Sequence, residues 1–238
     1  MESGASPRAL PQRFDVSRAL AFFFEDPKWV PKLVIGSLFA FLSPFLIGTV
    51  FLTGYAMALA RHTMEEKTPP LPEWDDFPSL FRDGLKGLGI SLAHKLPLIL
   101  FGLVVAFALL GSILLGRDRR VSPEEIAFIG VPALVGGFVI VFCLSLALIV
   151  YLPTAFVGFI GTSRFGAAFE IKENLDFIRQ NGPTYILALI TIVVAAFVAQ
   201  FGLLLFCIGV FPAAFWSTCV FGYVIGELAK LRKEGEPG

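Results

Sequence analysis

Four long stretches of this chain carry no Asp, Glu, Lys or Arg: 33–60, 96–116, 126–163 and 180–226, with lengths of 28, 21, 38 and 47 residues. A bilayer core of ~30 Å takes about 20 apolar residues per helical span. The second stretch therefore fits one span, and the fourth fits two spans and a tight turn. The chain is 56% hydrophobic and 16% charged, against about 45–50% and about 25% in soluble domains. Too few charges are available to cover a water-soluble surface. Nineteen basic residues balance nineteen acidic ones, so no global field attracts nucleic acid. Cys143, Cys207 and Cys219 all fall inside apolar stretches; an odd number at such depths reads as small hydrophobes rather than a disulfide framework. The expected fold class is all-α: a polytopic helical membrane protein with about four full spans, a short broken or re-entrant hairpin and three interfacial amphipathic helices.

Three polar segments, 14–26, 78–92 and 164–180, place apolar residues at helical spacing, as in Phe81, Leu85, Leu88 and Leu92. Helices of this kind lie in the headgroup plane. Asp15 or Ser17 is the expected N-cap of the first. Each segment is followed by a proline, Pro31, Pro97 or Pro183, expected in the first turn of the next apolar helix, where its missing N–H costs nothing. The runs Ile129-Gly130-Val131-Pro132 and Ile208-Gly209-Val210-Phe211-Pro212 are expected to open the second helices of two hairpins. One integral membrane domain over 1–238 follows. It comprises a cytoplasmic tail with an interfacial helix (1–32), a broken hairpin or kinked span (33–60), an acidic loop with an interfacial helix (61–95), a hairpin (96–160), an interfacial helix (161–182) and a second hairpin (183–231). The first apolar stretch exceeds a signal-peptide h-region and is expected to stay in the mature protein.

Cytoplasmic loops carry the excess of Lys and Arg. If 33–60 returns to its own side, sixteen basic residues face one side and three (Arg117, Arg119, Arg120) the other. Ser43-Pro44 and Gly48 offer the place for such a break, because proline removes a backbone hydrogen bond and kinks a helix. A rival arrangement keeps 33–60 as one kinked span and folds 126–163 into two, giving fourteen against five. Both arrangements place the termini in the cytoplasm of a cell with this protein in its cytoplasmic membrane.

Among candidate sites, the loop around Leu71-Pro72-Glu73-Trp74-Asp75-Asp76, with Glu65, Glu66 and Asp83, gathers six carboxylates. His62 and His94 flank it. The expected reading is a solvated loop anchored by Trp74, with His62, Glu73, Asp75, Asp76 and His94 as a candidate polar site in the alternative; hard cations favour such oxygen ligands, but no calcium-loop spacing occurs and no metal or cofactor is expected. Trp29 and Trp74 are expected as interface anchors. Gly222 and Gly226, four apart, suit close helix packing. No nucleophile elbow, phosphate loop or paired-cysteine motif occurs, and the apolar stretches carry no ionisable group of the kind that ion-coupled transporters hold at mid-membrane.

The run Phe24-Glu25-Asp26-Pro27-Lys28-Trp29, then Lys32, Gly54-Tyr55, Leu71-Pro72-Glu73-Trp74-Asp75 and Asp83-Gly84, resembles a prokaryotic multi-pass membrane family filed as a domain of unknown function. A more distant likeness is to the membrane domains of glycerophosphodiester phosphodiesterases, and it carries over no catalytic residue. The first resemblance implies an inner-membrane protein without an assigned activity. The leading expectation is a non-enzymatic subunit, scaffold or lipid-organising module, with the lipid bilayer and a membrane-protein partner or second copy as its partners. The alternatives are a channel or carrier for a neutral or lipidic solute, and a membrane enzyme acting on lipid head groups through the acidic loop and His62 or His94.

Overall fold

A computed structural model describes residues 14–117, 123–204 and 209–235; Arg119, Arg120, Cys207 and Ile208 lie outside the described residues. The described chain is helical, with no strand among the described residues. Among the described residues four helices are long and apolar enough to cross a membrane: Phe77–Ala108, Leu134–Thr162, Gly182–Gln200 and Val210–Gly235. The protein is an all-α polytopic membrane protein.

Helix α1 (Val16–Ala21) is capped by Asp15, whose carboxylate accepts from the Arg18 amide at 3.1 Å. A short 3-10 turn, Phe22–Glu25, leads to α2 (Trp29–Phe41), which has Pro31 in its first turn. A second 3-10 turn at Ser43–Phe45, with Leu46 at φ 63, separates α2 from α3 (Ile47–Met64). The break therefore falls at Ser43-Pro44. Gly48 makes the turn possible: a Cβ there would run into the backbone of Phe39 and Leu42. At 13 residues, α2 is about 20 Å long, too short to cross ~30 Å of hydrocarbon. One loop holds both ends of this hairpin. The Lys32 ammonium donates to the Leu71 carbonyl at 2.7 Å, and the Tyr55 hydroxyl donates to the Pro72 carbonyl at 2.9 Å.

Helix α4 (Phe77–Arg117) runs without interruption through Pro97. The segment 78–92 is thus continuous with the apolar helix behind it, and Pro97 lies inside that helix rather than at its start. Proline costs the Ala93 carbonyl its partner, which membrane helices tolerate. Helix α5 (Pro123–Thr162) is also unbroken, with Pro132 and Pro153 inside it. Pro132 therefore opens no new helix. Pro212 does sit in the first turn of α8 (Val210–Gly235), and Pro183 in that of α7 (Gly182–Gln200). The last polar segment forms a 3-10 turn, Phe165–Phe169, and α6 (Ile171–Gln180).

The core gathers around α3, which packs against α4 on one side and α8 on the other. Gly54 lies against Leu80 and Gly84 against Val50, so α3 and α4 run antiparallel with their backbones nearly touching. Gly222 faces Ala56 and Gly226 faces Ala60 and Thr63, so α3 and α8 run parallel. Small residues here remove the side-chain layer that would otherwise hold the helices apart. Tyr55, Met57, Leu59, Phe215, Ile225 and Leu228 fill the interior. By contrast, the α4–α5 pair beyond residue 95 is mostly exposed apolar surface, the pattern of a lipid-facing hairpin.

Candidate functional site

The acidic loop is built as a staple for the hairpin. Asp26 and Lys32 are almost fully buried and meet at 2.9 Å. The Asp26 carboxylate also accepts from the amides of Lys28 (2.7 Å) and Leu71 (3.2 Å). Glu73 joins at 3.2 Å from Lys32 and 3.5 Å from Lys28. Asp75 and Asp76 are exposed; Asp76 caps α4 by accepting from the Ser79 amide at 3.0 Å. Asp83, on α4, pairs with Arg61 of α3. Most of these carboxylates are thus engaged within the protein. Trp74 is 8% exposed and stacks between Tyr55 (4.4 Å) and Phe39 (5.0 Å); it belongs to the core rather than to the surface. Trp29 meets Phe24 edge-on at 5.3 Å and is half-buried.

His62 and His94 are not brought together. The antiparallel α3–α4 contact at Gly54 and Leu80 sends them in opposite directions, on the order of 30 Å apart at 1.5 Å per residue. His62 has a buried Nδ1 without a partner among the described residues, and burial lowers its pKa, reinforced by Lys67. A histidine that resists protonation in the folded state takes up its proton on unfolding, so stability falls as pH drops through the ordinary histidine range near 6.5. The melting temperature in detergent should decline between pH 7.5 and 5.5, and His62→Gln should flatten that decline. An identical slope in the variant would remove His62 as the cause.

A different arrangement surrounds His94. Its Nδ1 lies 2.8 Å from the Ile90 carbonyl. A carbonyl only accepts, so Nδ1 carries a proton, and in the neutral ring Nε2 is the nitrogen with the lone pair. The ring stacks on Phe169 at 4.9 Å and 8°, and touches Tyr151 at 5.3 Å. The Phe165–Phe169 turn brings Phe169 into place after α5 ends at Thr162, with Ser163 at φ 56 and the Arg164 amide donating to Thr162 Oγ1 at 3.2 Å. Arg164 reaches Glu170 at 2.8 Å. Lys95 adjoins His94, and Lys172 lies three residues beyond Phe169, both exposed.

Below His94 a groove of about 700 Å³ opens between α4, α5 and α6, within the usual range of ligand sites. Pro97 and Leu98 line it from α4, Leu144 and Leu148 from α5, and Ile171, Leu175 and Ile178 from α6. Of its lining residues, His94 and Tyr151 have polar side chains. The apolar stripe of α6 therefore faces this groove, while its buried residues are Asn174 and Phe177. An apolar trough with an imidazole in its lining suits a molecule with a hydrocarbon tail and a polar head. Asn174 and Tyr151 were not legible from periodicity, since Asn174 falls beside the apolar stripe rather than on it. Among the described residues no cluster of three or more His, Cys, Asp or Glu is poised for a metal.

A family model described as "Protein of unknown function (DUF4013)" matches residues 37–208. Two curated proteins are similar over part of the chain. Undecaprenyl-diphosphatase 1 of Mesorhizobium japonicum is 28% identical over 163 residues, covering 65% of this chain and 58% of that protein. Undecaprenyl-diphosphatase of Albidiferax ferrireducens is 27% identical over 175 residues, covering 70% and 60%. The chain thus spans less than two thirds of the length of these relatives. No solved structure matches. The likeness to glycerophosphodiester phosphodiesterases is not shown. These relatives also correct the expectation of a non-enzymatic subunit, scaffold or lipid-organising module: both bear the name of an enzyme. His94, Tyr151 and Phe169 meet only through the fold, so no local sequence motif joins them.

Proposed function

The chain belongs to the family described as Protein of unknown function (DUF4013), and on that premise we propose that it is a membrane enzyme acting on a lipid head group, opening the phosphoanhydride of a lipid-linked diphosphate. The observation that carries this reading is His94 in the lining of the apolar groove, with Nδ1 on the Ile90 carbonyl and no partner for Nε2 among the described residues. The two relatives named undecaprenyl-diphosphatase supply the class of bond. In this reading the hydrocarbon tail lies along Leu98, Leu148 and Leu175, and the head group stands at His94. Water attacks the terminal phosphorus while Nε2 takes one of its protons. The bond from that phosphorus to the bridging oxygen breaks, and the oxygen leaves with the electron pair as the lipid monophosphate, releasing inorganic phosphate. Lys95, Arg164 and Lys172 offset the charge that builds on the phosphoryl oxygens. The test is phosphate release from undecaprenyl diphosphate by the purified protein in detergent. Release that depends on His94 supports the reading, and none from any lipid diphosphate overturns it.

The same reading puts the protein in the cytoplasmic (inner) membrane of a prokaryote with both termini inside, supported by the sixteen-to-three division of basic residues. In a background without native cysteines, Lys67→Cys should react with an impermeant thiol reagent only after the membrane is opened, and Arg119→Cys in intact cells. Labelling of Lys67→Cys from outside would invert the orientation.

A further inference from the structure

We propose that Asn174 is the positioning residue of the His94 site. Its side chain is completely buried, and every polar atom on it is used. Nδ2 donates to the Tyr151 hydroxyl at 3.2 Å and toward the carbonyls of Ala167 (3.3 Å) and Ala168 (3.4 Å). Oδ1 accepts from Arg232 Nη1 at 2.8 Å. These partners come from α5, from the turn that carries Phe169, and from the last turn of α8. Two of them bear on the His94 ring. Tyr151 touches it, and Ala168 directly precedes the residue stacked on it.

The local chemistry explains why an amide stands here. A buried site between two carbonyls and a hydroxyl needs a donor, and the facing guanidinium needs an acceptor; Asn supplies both on one short side chain without a net charge. Gly158 leaves the room for it, since a Cβ there would come within 2.9 Å of the Ala167 carbonyl and 3.0 Å of Asn174 Oδ1. Among the described residues the rings against the imidazole are those of Tyr151 and Phe169, so the effect of Asn174 passes through Tyr151 and the Phe165–Phe169 turn. The Ile90 carbonyl fixes which nitrogen carries the proton, while Asn174 fixes the walls between which the ring sits. The effect on rate rests on the proposed role of His94 as proton acceptor, whereas the ordering of its ring does not; both should fall together when Asn174 loses its donors.

The chain has two histidines, so His62→Gln leaves His94 as the sole imidazole in an NMR spectrum of the full-length protein in micelles. With Asn174 present, the expected spectrum shows one neutral tautomer, protonated at Nδ1, and ring protons moved upfield by Phe169. Asn174→Leu should mix the tautomers, remove the upfield shift, and lower kcat on undecaprenyl diphosphate by roughly 10- to 100-fold with KM within about twofold. Should Asn174→Leu fail to fold, Asn174→Asp keeps the acceptor for Arg232 but lacks the N–H donors, and the same loss of the upfield shift is expected. An unchanged His94 spectrum in a folded variant overturns the inference. If the wild-type protein releases no phosphate while the spectral change occurs, the enzymatic reading fails and the positioning role stands.

Discussion

On the proposed reading, replacing His94 with glutamine should lower kcat for phosphate release from undecaprenyl diphosphate by at least about 100-fold, with KM within roughly twofold. Glutamine retains a polar side chain of similar reach but has no lone-pair nitrogen to accept a proton. The site has no obvious substitute. Glu170, the carboxylate next to Phe169, is engaged by Arg164 at 2.8 Å, and Lys95 is a cation that donates rather than accepts. In the proposed reading the tail is held by the other groove residues, such as Leu98, Leu148 and Leu175, so ground-state binding should be largely kept. That separation of kcat from KM distinguishes a proton acceptor from a residue that merely shapes the pocket. His62→Gln serves as the control, because it removes the other histidine at the far end of α3 and should leave the rate within about twofold. Comparable losses in both variants would show a general folding defect, and full activity in His94→Gln would remove His94 from the chemistry.

The parts of this architecture that sequence reveals are those set by single residues acting locally. Asp15 caps α1 through its own side chain, and Pro183 begins α7 because its φ and its lack of N–H suit a first turn. Ser43-Pro44 breaks the first apolar stretch for the same backbone reason. Pro97 shows the limit of that logic. A lone proline also fits a helix interior when the surroundings compensate for one lost hydrogen bond, and nothing beside Pro97 in the sequence tells the two cases apart. The site was still harder to see. His94 acquires its meaning from Tyr151 and Phe169, 57 and 75 residues further on, and Asn174 from a contact with Arg232 across 58 residues. The acidic loop drew attention because its charges are consecutive, yet Asp26, Lys32 and Glu73 form a closed set around the Leu71 backbone. Density of charge along the chain marked the staple, whereas the candidate reactive group is a single imidazole beside apolar surface.

That staple carries the second large effect. Lys32→Met should destabilise the protein by about 3–5 kcal/mol, a fall in melting temperature of roughly 10 °C. The ammonium is 3% exposed and lies 2.9 Å from an Asp26 carboxylate that is wholly buried. Removing the ammonium leaves that carboxylate charged, desolvated and held only by the amides of Lys28 and Leu71. It also frees the Leu71 carbonyl and one contact of Glu73. The hairpin ends are tied to this loop, so the loss should appear as separation of α2 from the core rather than as local fraying. Adding Asp26→Asn to Lys32→Met should restore part of the stability, because a neutral amide keeps an acceptor for the Lys28 amide without a buried charge. A buried pair contributes less than its breakage costs, so the double variant should be more stable than Lys32→Met alone. Thermal melts followed by circular dichroism in detergent decide between these outcomes. Equal stability of Lys32→Met and wild type would mean that the hairpin is held by the aromatic stack of Tyr55, Trp74 and Phe39 instead.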